Sequence, residues 1–310
     1  MPGISEITLN PSFFDQLATY HPLLESEKYK AAKAVVCDGP QKYHKDPFFH
    51  RRSVAELIFN LTNNDKKILN LFEKKVIDAV NFSAPNQTFL TDDELLSKAF
   101  PICTVGFAGQ GYEDTGPIEE RLRQQVVDAR LRGTIPVFVT GADKNGIGGC
   151  VQRVAESEGV KTISLLSEFG LADKQRNDPT GRGLITEIEN IIPVPSEQDS
   201  WSTSTEERGI EFLPLIALIY SGVLHVENCG SVGADECLQG ILLRAKTELY
   251  TPPNANGGKG YLEKEDPDKE PASILKLLEK YNILKRKGDG RSYGWTNMPR
   301  EPSSLESVGR

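Results

Sequence analysis

The chain has 310 residues, and its 36 Lys+Arg against 44 Asp+Glu give a formal net charge of −8. Hydrophobic residues at 38% and charged residues at 26% suffice for a packed core and exclude disorder of the chain as a whole. A pI near 5.3 argues against a general nucleic-acid surface, and the length suits two domains or one large α/β domain with additions.

Taken in chain order, residues 1–97 read as a helical region, with 54–59 and 68–80 its strongest segments, a loop at 81–91 and a short helix at 92–100. A strand at 102–107 then ends in a glycine-bearing turn, 106–111. Pro117 and Glu119 mark a helix start. Ile118, Leu122, Val126 and Ala129 form one face of that helix, and Gly133 ends it.

The unit repeats: a strand at 135–140, a loop at 141–149, a helix at 147–158 with Ile147, Val151, Val154 and Ala155 on one face, closure at Gly159, and a strand at 160–166. Residues 167–200 are irregular, with 191–194 readable as a short strand or as loop. A helix is expected over about 204–221, a strand at 222–227, a turn at 228–233 and a helix at 234–247. Composition makes 252–258 a linker, followed by a short helix at 272–281 and a basic turn at 285–291 of net charge +3. The last dozen residues read as disordered.

Successive strand–helix units predict an α/β fold, a three-layer Rossmann-like parallel sheet over 98–250 with a helical N-terminal region (1–97) and a C-terminal extension (251–310). The first residues show no secretory pattern. The most apolar window, 212–226, is interrupted by Pro214, Ser221, Gly222 and His225 and is too short to span a membrane. Five sparse cysteines without a C-x-x-C pair suggest reduced thiols in a cytoplasmic protein, with neither a disulfide framework nor zinc.

Parallel sheets take ligands at the carboxyl ends of their strands. Three loops there, 106–116, 141–149 and 228–236, are rich in glycine, which lets backbone N–H groups approach an anion, and each leads into a helix N-terminus. They nominate Gly109, Gly111, Gly141, Asp143, Lys144, Gly146, Gly148, Gly149, Gly230, Ser231 and Gly233 as ligand- or phosphate-binding residues. Gly106, Gly109 and Gly111 lack the dinucleotide spacing G-x-G-x-x-G. The acids at the last of these corners, Glu227, Asp235 and Glu236, are the catalytic candidates; an acid in a first helical turn also serves simply to complement the helix dipole. His225, alternating with apolar residues, reads as a partly buried histidine with its hydrogen bonds made, and His21, His44 and His50 lack metal spacing. Cys229 and Cys237 read as buried and inert, and the basic turn as a solvated loop.

Residues 139–149, with the helix and strand that follow, resemble the second unit of the "lonely guy" phosphoribohydrolases, whose Rossmann-like nucleotide-binding fold is shared with the DNA-processing protein DprA. Residues 229–237 are similar to the family motif Pro-Gly-Gly-x-Gly-Thr-x-x-Glu, with Cys229 in place of its Pro, Ser231 of its second Gly, Ala234 of its Thr and Cys237 of its Glu, so that Glu236 precedes the motif acid by one position. Arg208 lies too far upstream to match the family's catalytic Arg. The resemblance, over about 102–250, implies a nucleotide or other phosphorylated small molecule as partner and hydrolysis of an N-glycosidic bond; separately, the residues argue for no cofactor, no metal and no membrane and against nucleic acid, and a homo-oligomer is compatible with them. A nucleotide-sensing or carrier module without turnover, and a phosphosugar-binding isomerase-type domain, are the alternatives.

Overall fold

The computed structural model describes residues 52–53, 55–56, 59–83, 90–106, 112, 114–196, 200–206, 209–227, 231–243, 245–250, 284–286 and 293–295. The linker at 252–258, the helix at 272–281 and the terminal dozen lie outside the described residues, as do Gly109, Gly111, Gly230 and Cys229.

Two helices, α1 (Asn63–Ser83) and α2 (Asp92–Lys98), precede β1 (Ala99–Val105). Thr91 caps α2 reciprocally: its Oγ1 accepts from Glu94 N at 3.3 Å and Glu94 Oε2 accepts from Thr91 N at 2.8 Å. Then come α3 (Gly116–Leu131), β2 (Ile135–Thr140), α4 (Ile147–Glu158), β3 (Thr162–Ser167), α5 (Glu168–Asn177), β4 (Ile191–Val194), α6 (Phe212–Ile219), β5 (Val223–Glu227), α7 (Ser231–Leu242) and β6 (Thr247–Tyr250). A separate antiparallel pair, β7 (Leu284–Arg286) and β8 (Tyr293–Trp295), takes up the start of the segment expected as a basic turn.

The main sheet has six parallel strands in the order β4-β3-β2-β1-β5-β6 with helices on both faces, the Rossmann-like arrangement expected. Strand alternation divides its side chains. Ile102, Phe138 and Val223 join Ile118, Leu122, Val126, Val151 and Val154 under α3 and α4. Cys103, Val105, Val139, Ile163, Leu165, Leu224 and Val226 join residues of α1, α6 and α7 on the opposite face. The helical periods read from sequence therefore mark buried faces: all four of the residues expected on the inner face of α3 are fully covered. The N-terminal region adds Leu69, Phe72, Val76 and Val80 of α1 to this same core, against β2, β3 and β4.

Three expectations are corrected. Residues 204–221 are not one helix: Ser204 and Glu211 form an antiparallel bridge around Gly209 at φ 59, and only Phe212–Ile219 is helical. The buried Glu211 carboxylate holds this turn, accepting from Ser202 Oγ at 2.5 Å and Thr203 N at 3.0 Å. Residues 234–247 are not one helix either, since α7 ends at Leu242 and Thr247 opens β6, paired with β5. Within the stretch read as irregular lies α5, begun by Ser167, whose Oγ accepts from Gly170 N at 3.0 Å, and 191–194 is a strand. Among the described residues no helix is long and apolar enough to cross a membrane.

Candidate functional site

The loops after β1, β2 and β5 leave adjacent strands at one rim of the sheet. From β1 the chain winds outward through β2, β3 and β4, then returns to place β5 on the other side of β1. The strand order reverses between β1 and β5, and connections that diverge at such a point leave a crevice. The N-termini of α3 and α7 flank it from opposite faces.

Below this rim the two faces differ. On the α1/α6/α7 side β1, β2 and β5 stay apolar to Val105, Val139 and Val226. On the α3/α4 side Phe100, Ile102, Phe138 and Val223 give way to Thr104, Thr140, Ser164, His225 and Glu227, all buried. Thr104 lies opposite His225, His225 opposite Glu248 and Thr140 opposite Ser164, while the pair Cys103–Val139 brings Thr104 beside Thr140. A polar row therefore crosses β3, β2, β1, β5 and β6 at one level.

At β5 the row becomes an ionic cluster. Arg121 of α3 grips Glu227 with two bonds, Nε to Oε1 and Nη2 to Oε2, both 2.8 Å, and its guanidinium lies 4.5 Å from the Tyr250 ring centroid. His225 Nε2 is 2.7 Å from the same Glu227 Oε1; since a carboxylate only accepts, Nε2 carries the hydrogen. Glu227 and His225 are both 0% exposed. Glu248 accepts from Gln125 Nε2 at 2.9 Å and Tyr250 OH at 3.0 Å, and pairs with Lys246 at 2.9 Å. Burial opposes ionisation of Glu248, but Lys246, Gln125 and His225 together bring its pKa down to about 2. Burial beside Glu248 pushes the Tyr250 phenol up.

A pH dependence follows from Glu248. Its folded pKa lies below the ordinary 4.5, so its contribution to stability is complete above about pH 4.5 and is lost as the pH falls toward about 2. The stability difference between the protein and Glu248→Gln, measured by urea unfolding, is expected to be constant from pH 7 to 5 and to shrink across that acid window. A difference independent of pH would refute the assignment.

The remaining residues nominated from sequence fall in distinct places. The loop after β2 is held by the segment after α5: Lys144 N donates to Gly183 O at 2.7 Å and Ile185 N to Ala142 O at 2.9 Å, and Asp143 pairs with Leu184 as a bridge. Asp143 accepts from Asn145 N at 2.9 Å and forms an ion pair with Lys174. Gly141 and Lys144 are exposed, whereas Gly146, Gly148 and Gly149 are buried. A Cβ on Gly148 would stand 1.8 Å from Asp143 O, and one on Gly149 2.4 Å from Lys144 O, so these two glycines let the loop backbone pack onto the first turn of α4. Gly146 caps α4 without a side-chain bond, and the first-turn N–H donors receive none from it. Gly233 is buried in α7, while the side chains of Ser231 and Asp235 lie outside the described residues.

Glu236 is buried in α7, its charge felt by Cys103 and Cys237 on the α1/α6/α7 face. The candidates Glu227 and Glu236 are thus at the same end of the sheet but on opposite faces. Burial raises the Cys103 thiol well above its ordinary range, the Cys150 thiol to about 11 and the Cys237 thiol to about 12, which suits inert cysteines. Arg121, Gln125, Glu248 and Tyr250 did not emerge from the sequence, and His225 proves fully buried with one ring nitrogen engaged and Nδ1 without a partner among the described residues.

Thr140 Oγ1 and Ser164 Oγ are likewise buried without a partner among the described residues. A group left so costs ~1–3 kcal/mol. Among the described residues no cluster of three or more His, Cys, Asp or Glu side chains could hold a metal ion. No protein-family model matches this chain, and no curated protein matches it.

Proposed function

We propose that the chain binds a nucleotide or another phosphorylated small molecule at the rim where β1 meets β5. The observation that carries this reading is the reversal of strand order there, which sets two helix N-termini around one crevice. Unpaired N–H donors and the partial positive charge of a helix N-terminus favour an anion. Arg121 adds a full charge; it spends Nε and Nη2 on Glu227, and its side chain is 26% exposed.

The resemblance to nucleotide phosphoribohydrolases supports the same ligand class and adds a reaction. Water would add its oxygen to C1′ while the base departs with a proton, and a carboxylate would stabilise the positive charge developing at C1′. Glu227 is the acid assigned to this role, because it ends β5 beside Arg121, whereas Glu236 packs on the other face. The complete burial of Glu227 favours a second reading, binding without turnover.

Calorimetric titration with nucleoside monophosphates and sugar phosphates, with chromatography for free base, tests both. Saturable binding is expected, weakened about 10-fold by Arg121→Lys, which keeps the charge but loses the two-pronged geometry. Free base that disappears in Glu227→Gln assigns the hydrolase; binding without free base assigns the sensor. Absence of binding by any phosphorylated compound at millimolar concentration would overturn the proposal.

A further inference from the structure

Thr140 Oγ1, Ser164 Oγ and His225 Nδ1 share three properties: each is buried at 1% exposure or less, each lacks a partner among the described residues, and all three lie at one level of the α3/α4 face, Thr140 ending β2, His225 two residues from the end of β5 and Ser164 midway along β3. Their register sets them in one row with Thr104, whose Oγ1 makes, among the described residues, a long 3.4 Å contact to Val139 O. Neighbouring strands lie about 4.8 Å apart, so the row from Ser164 to His225 runs about 14 Å. Valine or alanine at Thr140 and Ser164 would fill these places without leaving a polar atom unpaired. On the other face, at the same level, the strands carry Val105, Val139, Leu165 and Val226.

We propose that this row is the floor of a binding slot for the hydroxyl-bearing part of the ligand, and that the ligand class is a phosphorylated sugar held through its hydroxyl groups. The inference rests on the reading of an anion site at the β1–β5 rim and names what extends from it. The chemistry of the row makes the choice. Hydroxyls both donate and accept, so sugar hydroxyls match Ser and Thr side chains in either sense. With Nε2 of His225 engaged by Glu227, Nδ1 is the ring atom left for a sugar hydroxyl, which can both donate and accept. The row carries no charged group between Ser164 and His225, so it suits the uncharged part of the ligand, while Arg121 next to it suits the phosphate. The face of a nucleobase would leave these polar atoms unpaired.

The test compares affinities for ribose 5-phosphate, glucose 6-phosphate and fructose 6-phosphate with that for inorganic phosphate, in the full chain and in Thr140→Val and Ser164→Ala. At least one sugar phosphate is expected to bind 10-fold or more tighter than inorganic phosphate. Each variant is expected to erase most of that advantage, to keep its affinity for inorganic phosphate, and to unfold at an equal or higher temperature. Sugar-phosphate affinity unchanged in both variants, or no preference over inorganic phosphate in the unaltered chain, would overturn the sugar slot while leaving the anion site standing. Failure of the unaltered chain to bind any of the four compounds would overturn both.

Discussion

Replacing Arg121 by alanine is expected to destabilise the protein by about 3 kcal/mol, because it removes one partner of a buried ion pair and leaves the other without compensation. Glu227 is 0% exposed and would lose both 2.8 Å bonds from the guanidinium, keeping among the described residues the one from His225. The Tyr250 ring would also lose the cation lying 4.5 Å from its centroid. The double variant Arg121→Met/Glu227→Leu is expected to recover most of the loss, since an apolar pair removes the desolvation cost along with the attraction. Urea unfolding midpoints at an unchanged slope provide the measurement. A single-variant loss below about 0.5 kcal/mol would mean that the pair is as weak as a surface one.

Gly148→Ala is expected to cost about 3 kcal/mol or more and to weaken any ligand bound at the loop after β2. The new Cβ would stand 1.8 Å from Asp143 O and 3.0 Å from Asp143 C, and backbone atoms cannot rotate away as a side chain does. Nor can the loop retreat freely, because Lys144 N is tied to Gly183 O at 2.7 Å and Ile185 N to Ala142 O at 2.9 Å. Gly141→Ala is the contrasting substitution. It lies seven positions earlier in the same loop, has nothing within 4 Å of its Cβ position, and is expected to change stability by less than about 0.5 kcal/mol. Thermal unfolding of the two variants side by side decides the matter; equal effects would show that the loop does not pack on α4 as described.

Much of the fold could be read from the chain because its signals are local. The apolar spacing of Ile118, Leu122, Val126 and Ala129, and the strands bounded by Gly133 and Gly141, depend on nothing beyond their own turn or strand. The α5 helix was missed because its surface position gives little apolar periodicity, although Ser167 is a legible cap. The helix expected over 204–221 failed because Gly209 and the buried Glu211 build a turn whose stability comes from Ser202 and Thr203. For β6, the period that fits Ala245 to a helix competes with a free edge of β5, and the pairing with β5 wins.

The candidate site was legible in part. Its rim followed from three glycine-bearing corners, and Glu227 from its place at the end of a strand. The polar residues within otherwise apolar strands, Thr104, Thr140 and His225, were also visible, but their alignment was not. Whether such residues are scattered or aligned depends on register, which is set by partners far away in the chain.

The amino-acid order by itself determined the alternation of strands and helices, and with it a parallel sheet whose loops share one end. Tertiary structure alone decided which side of that sheet each group occupies. Glu227 and Glu236 are nine positions apart yet lie on opposite faces, while Arg121 and Glu227, 106 positions apart, are in contact. The physical reason is that a side chain's direction follows from the pleat of its own strand, but its partner follows from strand order and register, and these are set by burial summed over the whole sheet.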